Sequence, residues 1–414
     1  MLSGTNLQYA NSYNVRIVLE AIRLYGPLSR IDIARQTNLT AQTVTNITKK
    51  LMNAGLIYEA DRFQAGRGAP SIMLELNKDA AYSVGLDFDK DHLTGILVDL
   101  HGNVRQRIHL DVDYPSPEEV MEMMTDMVNE MISNEGVDED MIWGVGVGFP
   151  GPMVVSKGSV FSNAVNPEAL PGWEQVPVVE ILEKRLNLPV FLENNASAAA
   201  IGERWYGNGK HISTFFYLFF GAGLGGGLVI NGQLFSGHAG NAGEVGYMPV
   251  IDATKENVKL DNQYLGAYFN LSYLFSQLKK GRTEISSSHD LEKLFKDENA
   301  TLMEWIKDGS QKLNPLILAI EYLIDPQVIY LGGRLPNTII EDIRQRLEST
   351  LPNLRIGSKI NNPELKLATV GLDTAALGVA TLPLYTSLAP LPKLLMKKST
   401  KQVDSIYTGN KKTF

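Results

Sequence analysis

The stretch from Phe219 to Val250 constrains this chain most. An apolar run, Phe215 to Phe220, leads straight into Gly221, Gly223, Gly225, Gly226 and Gly227, and a second apolar run, Leu228 to Ile230, follows. The pattern predicts strand, glycine turn, strand, with Asn231-Gly232 as the next hairpin turn. Glycines this dense leave backbone N–H groups bare for close approach by a ligand. A tight turn that binds nothing fits the cluster too. The continuation Gly240-Asn241-Ala242-Gly243-Glu244-Val245-Gly246 sets one carboxylate between glycines, where it can reach into a cleft.

The first eighty residues read differently. Val15, Val18, Leu19 and Ile22 recur at helical spacing between Asn11 and Leu24, and Gly26-Pro27 ends that helix. Ser29, with Asp32 three residues on, caps a short second helix over Arg30 to Gln36, and Leu28 can staple onto Ile33. Thr40 caps a third helix, Ala41 to Asn53, stopped by Gly55. Val44, Ile47 and Leu51 form its apolar stripe, while Gln42, Thr43, Thr45, Asn46, Lys49 and Lys50 form a polar face suited to base edges and phosphates. Leu56 to Tyr58 and Ile72 to Leu76 read as a β-wing. Its tip holds Arg67 between two glycines, a shape able to enter a minor groove. Arg30, Thr40, Gln42, Thr43, Thr45, Asn46, Lys49, Lys50 and Arg67 are the candidate DNA contacts. A small helical protein-interaction domain with a solvated face is the competing reading.

The glycine stretch and the Glu244 segment resemble the GTGxGGG turn and AGExGH segment of the ROK family (repressor, open reading frame, kinase), and further segments match in order. The resemblance implies an α/β chain: an N-terminal winged helix-turn-helix on a two-lobed, actin-like sugar-kinase body. Tyr82 to Leu100 resembles the hairpin whose Asp-x-Gly-Gly-Thr turn cradles ATP phosphates. Asp87 matches, but Asp89, Lys90 and Asp91 replace Gly, Gly and Thr. Two carboxylates there would repel phosphate, and the close-approach glycines are gone. Trp143 to Pro152 resembles the family's strand and GxPGP loop. Leu170 to Trp173 resembles its Asn-Leu-Pro-Gly-Trp sugar loop, with Ala169 in the place of that Asn. Asn163 or Asn166 then takes over the contact, or the contact is lost. Glu193-Asn194-Asn195 matches Glu-Asn-Asp, whose Asp is the family's base. An Asn at 195 can hydrogen-bond a hydroxyl but not take its proton. Asn194 and Asn195 either bind ligand as well as capping the next helix, or only cap it. Tyr247, Tyr264 and Gly266 stand where the family has a zinc-ligand His, a zinc-ligand Cys and a sugar-binding Glu, and the chain has no cysteine, so no metal is expected. Asp325 to Gly333 resembles the strand and double-glycine turn beside the nucleotide base. Ala375 to Ala380 matches the closing helix. The implied effector-binding set is Asn163, Asn194, Asn195, Gly223, Glu244 and Tyr247. With phosphate loop and base replaced, the body is expected not to be an enzyme and to need no cofactor.

Charge supports the division. The net charge is −8, yet residues 1–80 carry nine Lys/Arg against six Asp/Glu, leaving the remainder at −11. A basic head on an acidic body fits an anion such as DNA. The expected boundaries are 1–80 for the winged helix-turn-helix, 81–195 for the first lobe joined by a helix over 372–388, 196–371 for the second lobe with the dimer contact, and 389–414 for a lysine-containing tail, mobile or laid on a partner. The start of the chain lacks a signal pattern and no apolar run is span-length, so a cytoplasmic protein away from the membrane is expected. Its partners are then a double-stranded DNA operator, a sugar or sugar-phosphate effector, and further copies of itself as a homodimer or dimer of dimers. Two rivals remain: a sugar kinase with an added head, and a repressor that answers to a protein partner or to no ligand.

Overall fold

The computed structural model describes residues 7–63, 71–154, 164–165, 170, 172–174, 176–250, 264–283, 285, 290–356 and 362–390. Helix α1 (Leu7–Tyr25), strand β1 (Leu28–Ser29), α2 (Arg30–Thr37), α3 (Ala41–Asn53), β2 (Ile57–Phe63) and β3 (Ser71–Leu76) make up the head. The three strands form one antiparallel sheet in the order β1-β3-β2. The caps fall where the sequence sets them. Ser29 Oγ accepts from Asp32 N at 3.2 Å, and Thr40 Oγ1 accepts from Thr43 N at 3.2 Å. Each satisfies an orphan donor of a first helical turn. Helix α1 is longer than its apolar spacing predicts, reaching back to Leu7.

The body begins with the meander β4 (Tyr82–Asp89), β5 (His92–Asp99) and β6 (Val104–Asp111). Then come α4 (Pro117–Glu135), β7 (Ile142–Phe149), the short pair β8 (Met153–Val154) and β9 (Ala164–Val165), α5 (Val178–Leu186), β10 (Val190–Asn194) and α6 (Asn195–Tyr206). The rest of the body is β11 (Phe215–Phe220), β12 (Leu224–Ile230), β13 (Gln233–Leu234), α7 (Leu265–Tyr268), α8 (Leu271–Lys280), α9 (Asp290–Lys296), α10 (Ala300–Ile324), β14 (Val328–Gly333), α11 (Asn337–Leu354), β15 (Glu364–Leu367) and α12 (Thr374–Leu388). Four methionines of α4 (Met121, Met124, Met127 and Met131) are buried on one face, as their spacing predicts.

The two five-stranded sheets share one plan. In the first the order is β10-β7-β4-β5-β6, and in the second β13-β12-β11-β14-β15. Each is an antiparallel meander (β4-β5-β6, β11-β12-β13) extended by two parallel strands (β7 and β10, β14 and β15). No repeat is visible in the amino acids, because a backbone plan tolerates any apolar side chain that fills its core. The helix after each sheet's last strand crosses to the other sheet. Helix α6 follows β10 and packs on β12 and β11, while α12 follows β15 and packs on β4, β7 and β5. The two crossing helices also pack on each other.

That crossing corrects one expectation. The glycine turn is only Gly221-Ala222-Gly223; Gly225, Gly226 and Gly227 lie inside β12. A Cβ on Gly227 would sit 2.5 Å from Ala200 Cβ and 2.7 Å from Ala196 O, and one on Gly225 would sit 3.0 Å from Ala196 Cβ. These glycines therefore let α6 lie against the sheet, instead of baring N–H groups to a ligand. Alanines on α6 serve the same close approach from the other side.

Candidate DNA-reading face and ligand cleft

On α3, Val44, Ile47, Thr48 and Leu51 are buried. Gln42, Thr45, Asn46, Lys49 and Lys50 are exposed, and Thr43 is half-buried. Gln42, Thr45, Asn46 and Lys49 follow the spacing of one helix face. Gln42 Nε2 donates to Asn46 Oδ1 at 3.1 Å, which aligns two amides on that face. The hydroxyls of Thr40 and Thr43 lie 2.9 Å apart and serve the cap, while Thr45 Oγ1 donates to Ala41 O at 2.8 Å. Arg30, from the expected DNA set, also has partners within the head. Its Nε donates to Thr48 Oγ1 at 3.2 Å and its Nη2 to Glu59 Oε1 at 3.0 Å, so it braces α2, α3 and β2 against one another. Arg67 and Asn163 lie outside the described residues.

The candidate ligand site is built around the end of β10 and the start of α6. Asn194 Oδ1 caps α6, accepting from Ala196 N at 2.8 Å and Ser197 N at 3.3 Å. Its Nδ2 and Glu244 Oε1 converge on Gly151, where a Cβ would lie 2.9 Å from the first and 2.2 Å from the second. Burial raises the Glu244 carboxyl above its ordinary value. Asn195 is buried, and its Nδ2 donates to Phe88 O at 3.1 Å. Its Oδ1 and the Oδ1 of buried Asp87 have no hydrogen-bond partner. Both border Gly148, where a Cβ would meet them at 2.8 Å and 3.3 Å respectively. Two unpartnered buried acceptors in one place are suited to a donor such as a hydroxyl group. Glu193, also buried, is pushed up to about 7 by desolvation, against the hydrogen bond it accepts from Asn194 N.

The remaining expected residues lie apart from this set. Gly223 is exposed at the tip of its turn, with open space where a Cβ would go. Tyr247 is 45% exposed, and its ring rests on that of Tyr264 at 5.6 Å. The two residues that stand for the family's His and Cys thus meet ring on ring, an arrangement that does not fit zinc. Gly266 packs on the backbone of Gly246, 3.0 Å from its carbonyl oxygen as measured from a built Cβ.

Sequence reasoning missed two groups. The first is His92, buried beside Asp87 and Asp91, with Arg334 reaching it from β14. The six histidines look scattered along the chain, and nothing local marks this one. The second is the seam between head and body. Arg23 on α1 lies over the Trp205 ring at 4.1 Å, pairs with Glu20 at 2.8 Å, and donates to Trp205 O at 3.3 Å. Arg16 donates to Thr386 O at 2.7 Å and Ala389 O at 3.1 Å, at the end of α12. Val15, Val18, Leu19 and Ile22 of the head belong to the same apolar cluster as Ile201 and Trp205 of α6 and Leu382, Leu384 and Leu388 of α12. Helix α6 therefore starts at the cleft and ends against the head.

A winged helix-turn-helix joined to a two-lobed kinase-like body defines the class. The model for "Winged helix-turn-helix DNA-binding" matches residues 13–58, and the model for "ROK family" matches residues 83–385. The chain belongs to the ROK family. It is 27% identical over 379 residues to a xylose repressor of Bacillus spizizenii, covering 90% of this chain and 95% of that one. A crystal structure of a ROK family transcriptional regulator, a homolog of the E. coli MLC protein, superposes with a TM-score of 0.74 at 21% identity, covering 94% and 99%. A ROK glucokinase from Streptomyces griseus, crystallised with glucose and AMPPNP, covers 73% and 99% with a TM-score of 0.59 at 20% identity. The fold is thus common to regulators and kinases, and the head marks the regulators. Among the described residues, no helix is long and apolar enough to cross a membrane.

Proposed function

We infer that this chain is a transcriptional repressor of carbohydrate genes, binding operator DNA through α3 and the wing and answering to a sugar in the cleft. One observation carries the reading: α6 has its first residues among the cleft acceptors and its last against the head. A ligand that changes how the lobes close would move that helix and so re-aim α3. That is coupling through differential affinity for two states. The proposed division is a head over 1–80, a first lobe over 81–195 completed by 372–388, and a second lobe over 196–371 that carries the dimer contact. Two copies would place their third helices in successive major grooves of a palindrome, in the compartment that holds the chromosome. Phosphoryl transfer is disfavoured, because Asp89 and Asp91 crowd the hairpin turn with carboxylates and Asn195 cannot serve as a base.

Selection from random duplexes tests the head. Enrichment of a palindrome with half-sites a whole number of helical turns apart is expected, and recovery of unselected sequence would remove the reading. A thermal-shift screen of pentoses, hexoses and amino sugars, free and phosphorylated, tests the cleft. If no compound stabilises the protein, the repressor answers to a protein partner or to nothing. Turnover of ATP with any sugar would return the body to the kinases.

A further inference from the structure

Arg334 follows β14 of the second sheet, and Lys90-Asp91 is the two-residue turn between β4 and β5 of the first. Arg334 Nη1 donates to Asp91 Oδ1 at 2.9 Å and lies 2.5 Å from His92 Nδ1. His92 Nδ1 is 2.7 Å from the same Asp91 oxygen, and its Nε2 is 3.2 Å from Asp87 Oδ2. The Arg334 side chain is only 15% exposed and that of His92 2%. Arg334 and Asp91 are 243 residues apart, and they join the two lobes directly.

We propose that Arg334, Asp91 and His92 form an interlobe latch that holds the cleft closed at the hairpin end without any ligand. The reasoning is electrostatic and geometric. A fully exposed pair would contribute little, but here the arginine side is sheltered (Arg334 15% exposed, Asp91 37%), so opening the lobes would strand the Arg334 guanidinium while Asp91 keeps His92. Backbone placement supports the contact. Arg334 N donates to Phe220 O at 2.7 Å, fixing the residue to the end of β11. Asp89 does not compete for Arg334, because its Oδ1 accepts from Lys90 N at 2.8 Å. A pairing of this kind gives the body one defined resting closure, which any ligand at the Asn195 end must work with or against. The proposal does not depend on what that ligand is.

The chain has no cysteine, so Glu130→Cys on α4 and Lys307→Cys on α10, both exposed, give two clean spin-label sites, one per lobe. Electron–electron distance distributions would be taken on full-length protein diluted with unlabelled copies, with no ligand present. Arg334→Ala and Asp91→Ala are expected to lengthen and broaden the distribution. The double reversal Asp91→Arg with Arg334→Asp is expected to restore the narrow one. Near-UV circular dichroism checks that each variant is folded. If Arg334→Ala fails that check, Arg334→Gln, which keeps a side chain of similar reach but loses the charge, must still broaden the distribution. Distributions that coincide with the parent in every folded single variant would overturn the latch.

Discussion

Replacing Trp205 by alanine is the sharpest test of how head and body communicate. Trp205 ends α6, is 4% exposed, and lies in the apolar cluster shared by α1, α6 and α12. Deleting a buried indole typically costs about 3–5 kcal/mol through lost transfer energy and the cavity left behind. The Arg23 guanidinium stacked on it at 4.1 Å adds about 2 kcal/mol, since this pair is largely withdrawn from water. Arg23 would keep Glu20, so the head retains its own fold while its seat is lost. Calorimetry should therefore show the single transition of the parent split in two, with the head melting first. Urea titration followed at the head should lose roughly 5–7 kcal/mol, the two contributions together. Operator affinity should fall less than stability, because the α3 face does not touch Trp205. A single transition shifted by under about 1 kcal/mol would refute the idea that the α6 end seats the head.

Three further outcomes are expected. Asn46→Ala should weaken operator binding by about 1–3 kcal/mol if it reads a base, whereas Arg67→Ala should weaken all sequences alike and lower the salt slope by about one; both are read by fluorescence anisotropy across salt concentrations. Gly227→Val should destabilise by about 1–3 kcal/mol or more, because its Cβ would overlap Ala200, while Gly223→Ala, with open space around it, should cost little; thermal melts compare the two. His92 is lowered by burial and by the neighbouring Arg334 charge but raised more by its bonds to Asp87 and Asp91, to about 9 from 6.5. Its stabilisation is therefore complete below about 6.5 and lost as pH rises through 9. Burial also opposes the charge on Asp91, yet His92 and Arg334 hold that carboxyl low, so its contribution is lost only in acid. Urea midpoints of parent and His92→Gln should converge toward pH 10; a gap that widens there would sink this account.

Much of the head was legible because its signals are local. Ser29, Thr40 and the Val44-Ile47-Leu51 stripe act within one or two helical turns, and each behaves as its spacing says. The helices between Leu265 and Leu354 were not read, since all five (α7 to α11) pack on one shared core and carry no motif. The partners of Arg30 were not legible. A cation at a helix start looks unpaired in a string of letters, but Glu59 is brought beside it only when β2 folds back. Asn195 was read as a hydroxyl partner by its place in a motif, and its Oδ1 is buried without a hydrogen-bond partner.

By itself the sequence determined the order of segments, the helix caps, the basic head on an acidic body, and the absence of thiols that could bind a metal. Those properties are written in neighbouring residues and need no long-range closure. Tertiary structure alone decided why the β12 glycines are glycine, that one strand plan is used twice, and that α6 links cleft to head. It also decided that Arg334 meets Asp91 across 243 residues of chain. Such pairings depend on how two lobes seat against crossing helices, and that geometry is set by packing over the whole body rather than by any one stretch of it.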